Sequence, residues 1–260
     1  MWAKSLRWIV VVAAFGAIVL LLPNLPASKA GGRSYTTDIT PVEIYIQDGK
    51  GVGTRLRIPA AYMQWEEDRE GGPNFSVGLI AIYPEMTPYA LVSQKERKAY
   101  LAGIREDPLR YDPLIIIQAA NPGFIEREFA GYTDPTRVLS VTDEPDFVHY
   151  TVRRAGIREY FVPHGVEISG PGNGKKGPFF QCLPDPVGVP EGEYRIRCEA
   201  NVQLNDRLYF QYYIPKQHLK EWPSVEERVN ALVQSFVVDC FEGEVLQEGM
   251  VPAAFHPCAP

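Results

Sequence analysis

Nucleophilic, metal-dependent and acid–base chemistry each need particular side chains at particular spacings. Four cysteines stand at 182, 198, 240 and 258, all in the C-terminal third. An even number behind an export segment predicts two disulfides. Of the three connectivities, Cys182 with Cys198 and Cys240 with Cys258 are favoured, because each closes a short loop containing Pro and Gly. That pairing leaves no thiol as a nucleophile, and neither Gly-x-Ser-x-Gly nor Ser-x-x-Lys occurs. A metal centre is disfavoured as well, since there is no Cys-x-x-Cys or His-Glu-x-x-His and the histidines are scattered at 149, 164, 218 and 256. No cofactor fingerprint is present.

Carboxylates are abundant, including Glu66-Glu67, Asp143-Glu144 with Asp146, and Glu226-Glu227. Neighbouring acids usually mark solvated faces, although a hydrolytic pair of acids need not be adjacent in sequence. His149 lies inside a strand-like run without an evident partner, which reads as a hydrogen-bonded sheet residue rather than a general base. The Gly-rich run from Ser169 to Gly177 brings glycine in front of Lys175, but Gly170 is one residue too close and no Ser or Thr follows the lysine, so it is no phosphate loop. It reads instead as a surface loop whose Lys175 and Lys176, with Phe179 and Phe180 at its edge, form a candidate contact site. Asp48 to Gly53 is likewise turn chemistry rather than a nucleotide fingerprint.

The elements that must position these residues are mainly strands. Val42, Ile44 and Ile46 alternate with more polar neighbours, and Leu56 and Ile58 resume the alternation after the turn, which predicts a hairpin. Phe75 to Tyr83 is nearly continuous in apolar residues and reads as a strand buried on both faces. Leu114 to Ile117 reads as a central strand. Phe124 to Phe129 and Arg137 to Val141 read as strand or irregular segments, and Phe147 to Arg153 with Glu159 to Val162 as a second hairpin. Two capping-box spacings, Ser93 with Glu96 and Ser224 with Glu227, predict helices near 94 to 104 and 223 to 238. Val225, Val229, Leu232, Val233 and Phe236 share one face of the latter. The fold class expected is α+β, a mainly antiparallel sheet with two or three packing helices and a disulfide-stapled C-terminal third.

The N-terminus places Lys4 and Arg7 before an uncharged run from Trp8 to Leu22, closed by Pro23 and followed by Ser28-Lys29-Ala30. That is the layout of a signal peptide, and the alternative is an uncleaved anchor through residues 8–22. The domain plan is therefore a signal peptide or anchor over 1–30, a flexible leader over 31–40, one α+β domain over 41–240, and a tail over 241–260 held by a disulfide. Leu56 to Trp65 faintly echoes Tyr212 to Trp222, each a run stopped by Ile-Pro, so the domain can also be divided into related halves of about 41–120 and 137–240.

The formal charge is −6, and the first thirty residues contain cations but no Asp or Glu, so the remainder is more acidic still. Such a surface disfavours nucleic acid and suits simple colloidal stability first, or else a basic partner. Together these features point to an exported, non-enzymatic, bacterial-type envelope protein, periplasmic or extracellular, that binds another protein as an inhibitor, immunity factor or accessory. A hydrolase using dispersed carboxylates and a membrane-tethered structural protein are the alternatives. Membrane contact is expected only through residues 8–22, and only where that segment stays uncleaved.

Overall fold

The computed structural model describes residues 34–93, 114–119, 130–131, 134–153, 156–166, 178–184, 197–205 and 207–258. These lie in one compact unit spanning Arg33–Pro260. The segment 1–30, the helix expected over 94–104, the stretch Phe124 to Phe129 and both Lys175 and Lys176 fall outside the described residues.

The chain alternates in short strands that form two sheets. The smaller sheet contains β1 (Pro41–Gln47), β2 (Val52–Pro59), β3 (Gly72–Asn74) and β13 (Val237–Glu242), in the order β13-β2-β1-β3. Its β1–β2 hairpin is the one expected from the period-two pattern, with Ile44 opposite Leu56 and Val42 opposite Ile58. The larger sheet contains β4 (Ser76–Ile82), β5 (Thr87–Pro88), β6 (Leu114–Ala119), β7 (Val138–Asp143), β8 (Phe147–Arg153), β9 (Ile157–Pro163), β10 (Phe179–Cys182), β11 (Arg197–Gln203) and β12 (Leu208–Pro215). Its order is β5-β4-β6-β12-β11-β10-β9-β8-β7, with every neighbouring pair antiparallel.

The main core draws on both sheets. Ile44, Ile46, Leu56 and Ile58 from the small sheet join Val77, Leu79, Ile115, Ile117 and Phe210 from the large one. Helix α1 (Trp222–Phe236) closes the same core with Val225, Val229, Val233 and Phe236, and Leu232 packs at its border. The apolar stripe read from the sequence is therefore the buried face, but its cap is different. Pro223 occupies the first turn, so Ser224 is already helical and its hydroxyl meets that of Tyr83 at 3.3 Å instead of capping an N–H.

The protein is more sheet-dominated than the expected α+β fold with two or three packing helices. Thirteen strands and one complete α-helix are present among the described residues, with four short 3-10 helices at strand ends. The proline junctions account for much of that local helicity. Pro59, Pro88 and Pro215 all hold φ near −57° and ψ near 130°, and a 3-10 turn follows each one. Proline supplies no N–H to a ladder and fixes φ, so it ends a strand and turns the chain at once. The sequence echo between 56–65 and 212–222 is this junction, and it recurs after β5.

Both disulfides form with the favoured connectivity, and no free cysteine remains among the described residues. Cys182 and Cys198 face each other directly across the β10–β11 ladder. Two closed bridges are the pattern of a protein that matures in an oxidising compartment. No helix among the described residues is long and apolar enough to cross a membrane.

Candidate functional site

The contact patch expected around the Gly-rich loop loses its aromatic half. Phe179 and Phe180 are both buried, because successive residues of β10 point to opposite faces of the sheet. Phe180 enters the main core, while Phe179 joins Val152, Tyr160, Val162 and Tyr209 in a second cluster. Neither ring offers surface to a partner, so the assignment of both as contact residues is corrected to core packing.

His149 has the partners its sequence context did not reveal. Its Nδ1 lies 2.9 Å from Glu144 Oε1, and its Nε2 lies 3.7 Å from Glu159 Oε1. Lys216 donates to the other oxygen of Glu159 at 2.7 Å, and the imidazole stacks on Phe161 with centroids 4.3 Å apart. Both ring nitrogens are thus directed at carboxylates, and Nε2 is buried. A general base needs a nitrogen that can reach substrate. This cluster instead ties the β7–β8 turn to β9 and to the chain after β12.

The acids that do converge on open space come from two distant stretches, joined there by Gln47 from a third. A groove of about 600 Å³ runs between the 3-10 helix Glu67–Glu70, which leads through Gly71 and Gly72 into β3, and the C-terminal segment around Leu246 and Glu248. Gln47 forms part of its lining. Gly71 and Gly72 have φ of +74° and +86°, a conformation that favours glycine, and a Cβ on Gly71 would stand 2.8 Å from the Glu43 carbonyl oxygen. The two glycines therefore let the chain turn beside β1 and expose Glu67 and Glu70 along one wall.

The opposite wall is held by a side chain imitating a strand. Gln47 donates from Nε2 to the Leu246 carbonyl at 2.7 Å, and its Oε1 accepts from the Leu246 N–H at 2.9 Å. Around it, Tyr45, Phe241 and Leu246 form a small buried cluster with Phe255 against it, and the Arg55 guanidinium stacks 4.3 Å over Phe255. Arg55 is itself fixed by a bidentate pair with Asp239. The Cys240–Cys258 bridge secures the same tail.

Three glutamates, Glu67, Glu70 and Glu248, line this groove, and no Lys, Arg or His does. None of the three makes an ion pair among the described residues. The nearest cation in sequence, Arg69, is turned away to Ser34 and the Met63 carbonyl. Phe75 stands in the lining at 68% exposure, where the sequence reading placed it in a doubly buried strand. It precedes β4, so the strand's burial begins beyond it.

Behind the groove lies a buried acid. Asp68 is 5% exposed and accepts from the Gly78 N–H at 3.1 Å and from Asn74 Nδ2 at 3.2 Å. Burial pushes its pKa up to about 6 despite those two hydrogen bonds. Asn74 lines the groove, so Asp68 braces one wall from within. Like charges on three converging carboxylates, with a large apolar ring beside them, form a surface suited to a cationic, partly apolar segment of another molecule.

No signal local in sequence announces this site, because its residues lie near positions 47, 67–75 and 246–249. No family model matches the chain, and no curated protein matches it. Among solved structures, the chain is similar to Smlt3025, an immunity protein of the Stenotrophomonas maltophilia type IV secretion system. Identity is 16% and the TM-score 0.49, with 81% of this chain and 100% of that chain covered. It is also similar to the Neisseria meningitidis iron-regulated outer membrane lipoprotein FrpD, at 16% identity and a TM-score of 0.38, covering 80% of this chain and 97% of that one. At these values the likeness assigns this chain neither a partner nor an activity.

Proposed function

We propose that the chain is an exported, non-enzymatic envelope protein that binds another protein in an inhibitory, immunity or accessory role, and that the acidic groove receives a cationic segment of that partner. The observation that carries this reading is the convergence of Glu67, Glu70 and Glu248, without ion pairs among the described residues, beside the exposed ring of Phe75. Desolvating such carboxylates is unfavourable unless the incoming surface brings compensating charge, which makes the groove selective for a basic partner. Phe75 supplies an apolar anchor of the kind enriched at interface centres. The two disulfides support maturation outside the cytoplasm. Residues 8–22 either direct export and are removed or remain as the anchor. Lys175 and Lys176 supply a second contact of opposite sign.

The test places a photo-crosslinking amino acid at position 75 in the producing cell. A discrete adduct with one basic envelope protein, lost in the E67Q/E70Q/E248Q variant, is expected. No adduct at position 75, together with turnover of an envelope substrate by the purified protein, would overturn the proposal.

A further inference from the structure

The two sheets are joined in sequence at one residue. β3 ends at Asn74 in the small sheet and β4 begins at Ser76 in the large one, so Phe75 alone spans the crossing. Its ring is the exposed aromatic of the acidic groove.

Asp68 holds the chain on both sides of that crossing. Before Phe75, its Oδ1 accepts from Asn74 Nδ2 at 3.2 Å, and beyond Phe75 its Oδ2 accepts from the Gly78 N–H at 3.1 Å. Asn74 is tied a second time, because its Oδ1 accepts from the Ser76 N–H at 3.4 Å and closes a turn around Phe75.

Both arms of this clamp require an acceptor. A carboxylate only accepts, whereas a carboxylic acid carries a proton that needs an acceptor of its own. Of the two partners, the Gly78 N–H cannot supply one. The Asn74 amide can, by rotating until its Oδ1 meets the acid, but its Nδ2 then faces the Ser76 N–H and two donors stand together. Protonating Asp68 therefore opens the turn that fixes Phe75, and at 5% exposure the acid has little relief from bulk water.

The charged groups acting on the carboxyl are Glu67, which opposes its ionisation, and Arg69, which favours it, both from its own 3-10 helix. β3 and β4 bring no titratable side chain, and neither do Gln64 and Trp65, which meet the position of a Cβ on Gly78 at 3.6 and 2.8 Å. Burial outweighs the hydrogen bonds and brings the exchange of the proton to about pH 6.

We infer that Asp68 is a proton-operated latch on Phe75: the ionised carboxylate holds the crossing and presents the ring to the groove, and the neutral acid releases it. The consequence for a partner rests on the docking reading above. Binding in the groove is then strong near neutral pH and weaker in mild acid.

NMR spectra of the oxidised, exported protein between about pH 5 and about pH 7.5 test the latch without any partner. The backbone signals of Asn74, Phe75 and Ser76 are expected to shift together with the Asp68 carboxyl carbon. D68N, neutral at every pH and carrying a donor of its own, should hold all three at their low-pH positions. N74A removes one arm, so Asp68 should still titrate while Phe75 stays still. Phe75 signals that do not follow Asp68 in the parent, that titrate unchanged in D68N, or that move in N74A as in the parent would each overturn the inference. A hexalysine peptide keeps the docking reading separate. The parent should bind it about threefold more tightly at the higher pH, D68N alike at both, and E67Q/E70Q/E248Q far more weakly than either. Equal binding by the parent and the triple variant would defeat the groove as docking site, while the NMR result alone decides the latch.

Discussion

Gln47 grips the backbone of Leu246 at both its N–H and its C=O, at 2.9 and 2.7 Å, across 199 residues of sequence. A side-chain amide here does what a neighbouring strand would otherwise do. It joins the first strand of the fold to the segment carrying Glu248, and so defines the width of the acidic groove.

Removing that amide leaves two buried backbone groups without their partners. Q47A is expected to lower stability by about 2 to 3 kcal/mol, since each lost buried hydrogen bond costs about 1 kcal/mol or more when a partner is stranded. Urea unfolding measures it. A loss below about 0.5 kcal/mol would show that water replaces the amide without cost.

Asp68 sets a pH dependence of definite sign. Its pKa is raised from 3.8 to about 6 in the folded chain, so between these values the native state holds a proton that the unfolded state has released. Its contribution is therefore most favourable below about pH 3.8 and is lost as pH rises through about 6. D68N removes the ionisation, so its stability relative to the parent should rise by roughly 2 to 3 kcal/mol between pH 4 and pH 7. Paired denaturation curves at the two pH values check this, and a gap that stays constant contradicts it.

Phe236 is 5% exposed and meets Tyr62 edge-on with centroids 5.3 Å apart. F236D puts a charge into the core shared by both sheets and α1, and should cost more than about 3 kcal/mol, enough to unfold a marginal domain. F236L keeps an apolar side chain and should cost about 1 kcal/mol. Far-UV circular dichroism with urea titration distinguishes the two, and equal losses would place Phe236 outside the load shared by the core.

How legible these features were depended on whether their signal was local. The β1–β2 and β8–β9 hairpins follow from alternation and turn residues, and the stripe on α1 from helical spacing. The disulfide connectivity followed from loop length. Ser224 misled because capping-box spacing was present while Pro223 and Trp222 had already begun the helix. Phe179 and Phe180 looked like loop-edge aromatics, yet their strand alternation sends one ring into each of two cores. The partners of His149 were invisible for another reason, since Glu159 meets it through the pairing of β8 with β9, and Lys216, from beyond β12, meets Glu159 in turn. The groove was the least legible of all. Glu67, Glu70 and Glu248 become neighbours through the clamp between Gln47 and Leu246, a contact that no periodicity in a single sequence encodes.

The most direct measurement is the affinity of the purified protein for the basic envelope protein captured through position 75, compared with the E67Q/E70Q/E248Q variant at low and high salt. Loss of three desolvated carboxylates is expected to weaken binding roughly tenfold to a hundredfold and to flatten its salt dependence, with the thermal midpoint of the free protein preserved. Affinity within about twofold of the parent at both salt concentrations would contradict the assignment of the groove as the docking site.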